Sequence, residues 1–147
     1  MADILARVAA LLPEVAAARD EAERQRRTPP GLAAKLTAAG AYQLYLPRAI
    51  GGPELPPLQA FRVVEALSRV DGSVGWCSMI AAAMSLNIAR LPPEVGRELA
   101  GDPADYRAAG SARPGGPARA VPGGYRVSGR WNFASGYDNA RWLYCTC

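Results

Sequence analysis

Gly123-Gly124-Tyr125-Arg126-Val127-Ser128-Gly129-Arg130-Trp131-Asn132-Phe133-Ala134-Ser135-Gly136 is the stretch that decides how this chain is read. Behind a Pro122-Gly123-Gly124 turn, Tyr125 to Ser128 alternates with period two, the pattern of a strand. Gly129 interrupts it, and Trp131 and Phe133 resume the alternation. On the residues alone an ordinary sheet core accounts for this, since aromatics are common in strands. The spacing also suits a flat heterocycle lying on the strand. Phe133 would give an apolar wall, and Ser135, two residues on, would face the same side and reach the polar ring edge.

Working outward, Tyr106 to Ser111 and Trp142 to Cys147 read as further strands, with a loop at Arg113-Pro114-Gly115-Gly116-Pro117. Upstream of about Leu99 the pattern is helical. Ile4, Val8, Leu11, Leu12 and Val15 recur at spacings of three and four, and Pro13 is expected to kink that helix or open its second part. Thr28-Pro29-Pro30 predicts a restart with Thr28 as the cap. Gly40 then ends a helix carrying Leu32 and Leu36 on one face. A third helix runs from about Pro57 with Phe61, Val64 and Leu67 inward. Ser73 caps a fourth, Val74 to about Arg90, apolar nearly all round and expected as the buried centre of a bundle. Pro92-Pro93 opens a short fifth helix that Gly101 closes. The outline is α+β: an all-α domain over residues 1–101, then an incomplete β domain over 102–147.

Composition removes whole classes of chemistry. The 147 residues include no histidine, which excludes Ser-His-Asp triads, Cys-His pairs and any histidine base supplied by this chain. Neither GxxxxGK[ST] nor GxGxxG occurs, so the glycine pairs read as turns. Net charge is +4, with Arg24, Arg26 and Arg27 clustered at a helix end. Cations there complement the helix dipole, and no aromatics interleave with them, so no nucleic-acid partner is expected. Membrane insertion is not expected either: the 74–90 run is short for a span and is broken by Ser78, Ser85 and Asn87. Three cysteines without imidazoles make a poor zinc set, so no metal is expected. The N-terminus lacks the basic lead of a signal peptide, and Cys77, Cys145 and Cys147 are read as reduced thiols in a cytoplasmic protein.

Residues 123–136, followed by Asp138, Ala140 and Trp142, resemble the start of the β domain in the acyl-CoA dehydrogenase superfamily. They resemble most its branch of flavin-dependent two-component monooxygenases, which hydroxylate aromatic compounds. Leu46-Pro47 with Gly51-Gly52, then Asp71-Gly72-Ser73-Val74-Gly75-Trp76, and Leu91-Pro92-Pro93-Glu94 are similar to that branch in order and spacing. Acyl-CoA dehydrogenases usually carry a Trp/Tyr-Ile-Thr-Asn type sequence where this chain has Phe133-Ala134-Ser135-Gly136, which favours the monooxygenase branch.

The resemblance implies a helical domain, the beginning of a β-barrel-like middle domain and a C-terminal four-helix domain that these residues do not include. It implies a flavin cofactor, FAD or reduced FMN/FAD, with Ser111, Phe133 and Ser135 matching residues that contact the ring. Trp76, on the helix next to the pocket, is by the same resemblance either the substrate contact, for a small aromatic compound or an acyl-CoA, or equally a core-packing residue. A flavin reductase partner and a homotetramer go with complete members of the family. The family's acid or base lies beyond residue 147, so no catalytic residue is assigned here, and flavin binding by the chain alone is expected to be weak or absent. One departure is Asn139, where relatives often carry a histidine. A dehydrogenase, or a non-catalytic helical interaction module using the 74–90 helix, are the alternatives.

Overall fold

Ile4, Val8 and Val15 form the buried stripe of α1 (Ile4–Ala17) in the computed structural model, which describes residues 4–147. Pro13 sits inside α1, and the chain breaks only at Ala18, before α2 (Arg19–Gln25). Arg26 closes α2 in the left-handed conformation. The third helix, α3 (Pro30–Ala39), is not capped by Thr28 as expected. Pro29 occupies the cap position without a side-chain bond, and Thr28 is buried instead. A proline at the first helical position has no orphan N–H, which reduces what a cap must satisfy. Gly40 ends α3 in the left-handed conformation.

The fourth helix, α4 (Pro57–Val70), buries Ala60, Val63 and Leu67. Phe61, expected inward, is 64% exposed. One step along a helix turns the side chain by about 100°, so a 60–63–67 stripe leaves position 61 on the flank.

A larger correction concerns the helix expected over 74–90. It is α5 (Gly72–Ser85), followed by a 3-10 segment from Leu86 to Arg90. Its cap is Asp71, whose Oδ1 accepts from the N–H groups of Ser73 at 2.8 Å and Val74 at 3.1 Å. The inward face is built from small residues, Val74, Gly75, Ser78, Ala81, Ala82 and Ser85, while Trp76 is 52% exposed. Gly72–Arg90 is long and apolar enough to cross a membrane by length and composition. Here α5 instead packs against α4 on one side and the first strand on another. Then α6 (Pro93–Ala100) follows, closed by Gly101 as predicted.

Four short strands complete the described chain. Parallel to each other run β1 (Ala108–Ser111) and β4 (Trp142–Cys145), with Ala108 opposite Trp142 and Ser111 opposite Cys145. An antiparallel hairpin joins β2 (Ala118–Val121), which the sequence pattern did not announce, to β3 (Gly124–Val127). Pro122 and Gly123 make its turn; Gly123 has φ +81°, as the third position of a type II turn requires. The strand expected to continue through Trp131 and Phe133 does not form. Phe133 has φ +61°, which breaks period-two alternation at that residue.

Two apolar clusters hold these elements together. The first gathers α1, α3, α4 and α5 around Val8, Leu36, Leu44, Val63 and Leu67. The second contains Leu46, Ile50, Ile88, Ala100, Tyr106 and Ala108, with Met84, Trp142 and Tyr144 packed on it. Residues on both sides of Asp102 therefore share one core.

Candidate functional site

The segment Ala134–Ala140 docks on the first turns of α5. Trp76 projects from that helix, and its Nε1 donates to Ser135 Oγ at 3.0 Å, across 59 positions of sequence. One residue further along α5, Cys77 approaches Gly136: a Cβ built on that glycine would meet Cys77 Cβ and Sγ at 3.6 Å. Asn139, at the other end of the segment, donates through Nδ2 to the Thr28 carbonyl at 3.2 Å. The segment is thus pinned to the helical part at three points. Ser135 is flanked in the chain by Phe133, 82% exposed, and Tyr137, 60% exposed.

Of the four residues singled out by sequence, the structure joins Trp76 and Ser135 by a hydrogen bond, made through a loop and not along a strand. Phe133 lies two residues before Ser135 with its ring exposed. Ser111 is placed differently. It lies buried at the end of β1, its Oγ donates weakly to the Arg113 carbonyl at 3.5 Å, and its own carbonyl accepts from Thr146 Oγ1 at 3.1 Å.

Beneath the same segment lies a cavity of about 640 Å³, which sequence reasoning did not anticipate. Tyr42, Asp71, Ser73, Cys77, Arg107 and Asn139 are among its lining residues. Burial pushes the Tyr42 hydroxyl far above the ordinary tyrosine range. Burial first, then the Asp71 and Asp138 carboxylates, raise the Cys77 thiol. Both groups are therefore held neutral. Arg107 pairs through Nη2 with Asp105 Oδ1 at 3.1 Å, while its buried Nε has no partner among the described residues. No motif marks these residues, because four separate segments bring them together.

Chemically, Trp76 of α5 and the loop around Ser135 present an indole and a hydroxyl in contact, with the exposed phenyl and phenol rings of Phe133 and Tyr137 nearby in the chain. These are groups that stack and hydrogen-bond. They suit a flat, partly polar ring: Phe133 supplies an unburied apolar surface, and Ser135 Oγ donates to no acceptor among the described residues.

A helical bundle running into a short sheet, with an aromatic and hydroxyl-bearing face at their junction, is the architecture of the acyl-CoA dehydrogenase class. Residues 3–94 match the acyl-CoA dehydrogenase N-terminal domain, and the chain belongs to that family. Among curated relatives it is 33% identical over 141 residues to the flavin-dependent monooxygenase oxygenase subunit HsaA of Mycobacterium tuberculosis, covering 96% of this chain and 36% of the relative. It is 32% identical over 142 residues to the oxygenase component of the FADH(2)-dependent resorcinol hydroxylase of a Rhizobium species, covering 97% and 35%. The chain thus spans just over a third of the length of these relatives. The crystal structure of HsaA from M. tuberculosis superposes with TM-score 0.89 at 32% identity, over 97% of this chain and 39% of that one. XiaF from Streptomyces, solved in complex with FADH2 and glycerol, gives TM-score 0.90 at 26% identity, over 98% and 36%.

Proposed function

We infer that this chain carries one wall of the flavin cleft of an oxygenase component that hydroxylates an aromatic substrate. The observation that carries the reading is the Ser135 hydroxyl, held by Trp76 in a loop whose Phe133 and Tyr137 are exposed, in a chain whose similar relatives are named as flavin-dependent oxygenase subunits. Reduced flavin, FAD or FMN, supplies two electrons that, with oxygen, put one oxygen atom on the aromatic ring and release the other as water.

The residues here have non-redox tasks. Phe133 covers part of one ring face, Ser135 donates to the polar ring edge, and Trp76 borders the substrate side. A ring resting on one wall buries little area, at about 25 cal/mol per Å², so the chain alone holds flavin weakly. The chain spans 36% of the similar HsaA oxygenase subunit, and the remaining walls and the acid–base group of the proposed cleft are assigned to the part of such a protein that it does not span. A separate reductase supplies the reduced flavin, and the complete assembly is a homotetramer. Three unpaired cysteines fit a reducing, cytoplasmic setting.

The test is to read the DNA following codon 147 and to express whatever reading frame continues the chain. That protein receives reduced FAD or FMN, oxygen, and either simple phenols or acyl-CoA thioesters. A hydroxylated phenol is the expected product. Conversion of the thioester to its α,β-unsaturated form would assign a dehydrogenase instead.

A further inference from the structure

We propose that Trp76 is a positioning residue that fixes the direction of the Ser135 hydroxyl, so that the serine proton is presented outward at the open face. An indole N–H can only donate. In the 3.0 Å contact Ser135 Oγ must therefore be the acceptor. A serine hydroxyl has one proton and two lone pairs, and with one lone pair engaged by Trp76 the proton points elsewhere. Among the described residues no acceptor takes it.

The surroundings separate this role from core packing. Trp76 is 52% exposed, so the indole is not there to fill a void. The loop lies close to α5 at the next residue too, where a Cβ added to Gly136 would reach Cys77 at 3.6 Å, and the Trp76 bond is the side-chain hydrogen bond between α5 and Ser135. The other two indoles bond backbone carbonyls, Trp131 to Thr146 at 2.7 Å and Trp142 to Leu99 at 2.8 Å. Only Trp76 bonds a hydroxyl that has a proton left to give.

The proposal deepens the flavin reading and rests on it for the identity of the acceptor, a ring nitrogen of the cofactor. The rotamer restraint itself is a property of the chain without ligand. It is read from the Hα–Hβ couplings of Ser135, measured by NMR on the full chain and on Trp76→Phe. Trp131→Phe, which removes an indole N–H elsewhere, is the control.

One dominant Ser135 rotamer in the native chain and in the control, averaged couplings in Trp76→Phe, and a displaced Trp76 indole resonance in Ser135→Ala are the expected results. Unchanged couplings in a folded Trp76→Phe overturn the proposal. Should that variant not fold, the Trp76 indole resonance in Ser135→Ala decides instead, and an unmoved resonance overturns the proposal. A parallel anaerobic titration with reduced FAD, run on the native and Ser135→Ala forms of the protein expressed from the reading frame that continues the chain, isolates the flavin reading. If Ser135→Ala binds as the native chain does while the rotamer result holds, the acceptor is not flavin and the positioning role stands.

Discussion

The Trp142 indole N–H donates to the Leu99 carbonyl at 2.8 Å, tying β4 to the last turn of α6 across 43 residues. With Tyr106 and Ala108 in the same cluster, the helical part and the strands are one packing unit at this point. A helical domain over residues 1–101 would fold alone if its core were its own, and this shared core gives a physical reason to expect the reverse. Truncation after Gly101 removes Tyr106, which is wholly buried, and losing a buried aromatic costs about 3–5 kcal/mol. The 1–101 fragment should lose its near-ultraviolet circular dichroism and its cooperative urea transition. A sharp transition in that fragment would show the helices to be self-sufficient. Trp142→Phe should cost only about 0.5–1.5 kcal/mol, the net value of one hydrogen bond.

Gly75 carries the α4–α5 crossing. A Cβ there would fall 2.0 Å from Ser68 Oγ and 2.8 Å from Ser68 Cα. Gly75→Ala should destabilise by about 1–3 kcal/mol through overpacking, despite the better helix propensity of alanine. Adding Ser68→Ala should recover part of the loss and not all of it, because the backbone contact persists. Urea midpoints of the two variants decide this, and a neutral or stabilising Gly75→Ala contradicts the close approach.

Asp71, and not Ser73, satisfies the first N–H groups of α5. Asp71→Ala should therefore cost about 0.5–2 kcal/mol, and Asp71→Asn should retain most of the stability. Ser73→Ala should be close to neutral, since the side chain caps nothing in this helix. Equal losses at positions 71 and 73 in thermal melts would be inconsistent with this cap.

Stability should fall on the alkaline side. Burial raises the hydroxyl of Tyr42, and burial followed by the Tyr144 hydrogen bond raises that of Tyr106. Above the ordinary tyrosine value of about 10, the unfolded chain releases these protons while the native chain keeps them. The unfolded state then binds fewer protons, so the free energy of unfolding decreases as pH rises. Below that value these two groups contribute no slope. Urea unfolding at pH 7, 9, 10.5 and 11 should show a plateau and then a decline, shallower in Tyr106→Phe. An unaltered alkaline slope in both Tyr42→Phe and Tyr106→Phe would remove the tyrosines as its cause.

Local signals were sufficient for the order of the main helices and for the family, though not for β2. The stripe of Ile4, Val8 and Val15, the Gly40 and Gly101 stops and the Pro122-Gly123 turn are short-range features, settled by backbone sterics and helical period. The candidate residues Trp76, Phe133 and Ser135 were legible for the same reason, as parts of contiguous motifs. What faces what was decided only in the tertiary structure. Phe61 and Trp76 have the composition of core residues, yet small Gly75, Ser78, Ala81 and Ala82 took the inward face of α5, because close contact with α4 and β1 excludes bulk. Period-two alternation at Trp131 and Phe133 promised a strand, but Phe133 adopts a left-handed conformation just before the loop that docks on α5. The cavity around Tyr42, Cys77 and Arg107 has no sequence signature at all. Its walls meet only after the chain has crossed itself, and a one-dimensional pattern carries no distance between segments 30 to 100 positions apart.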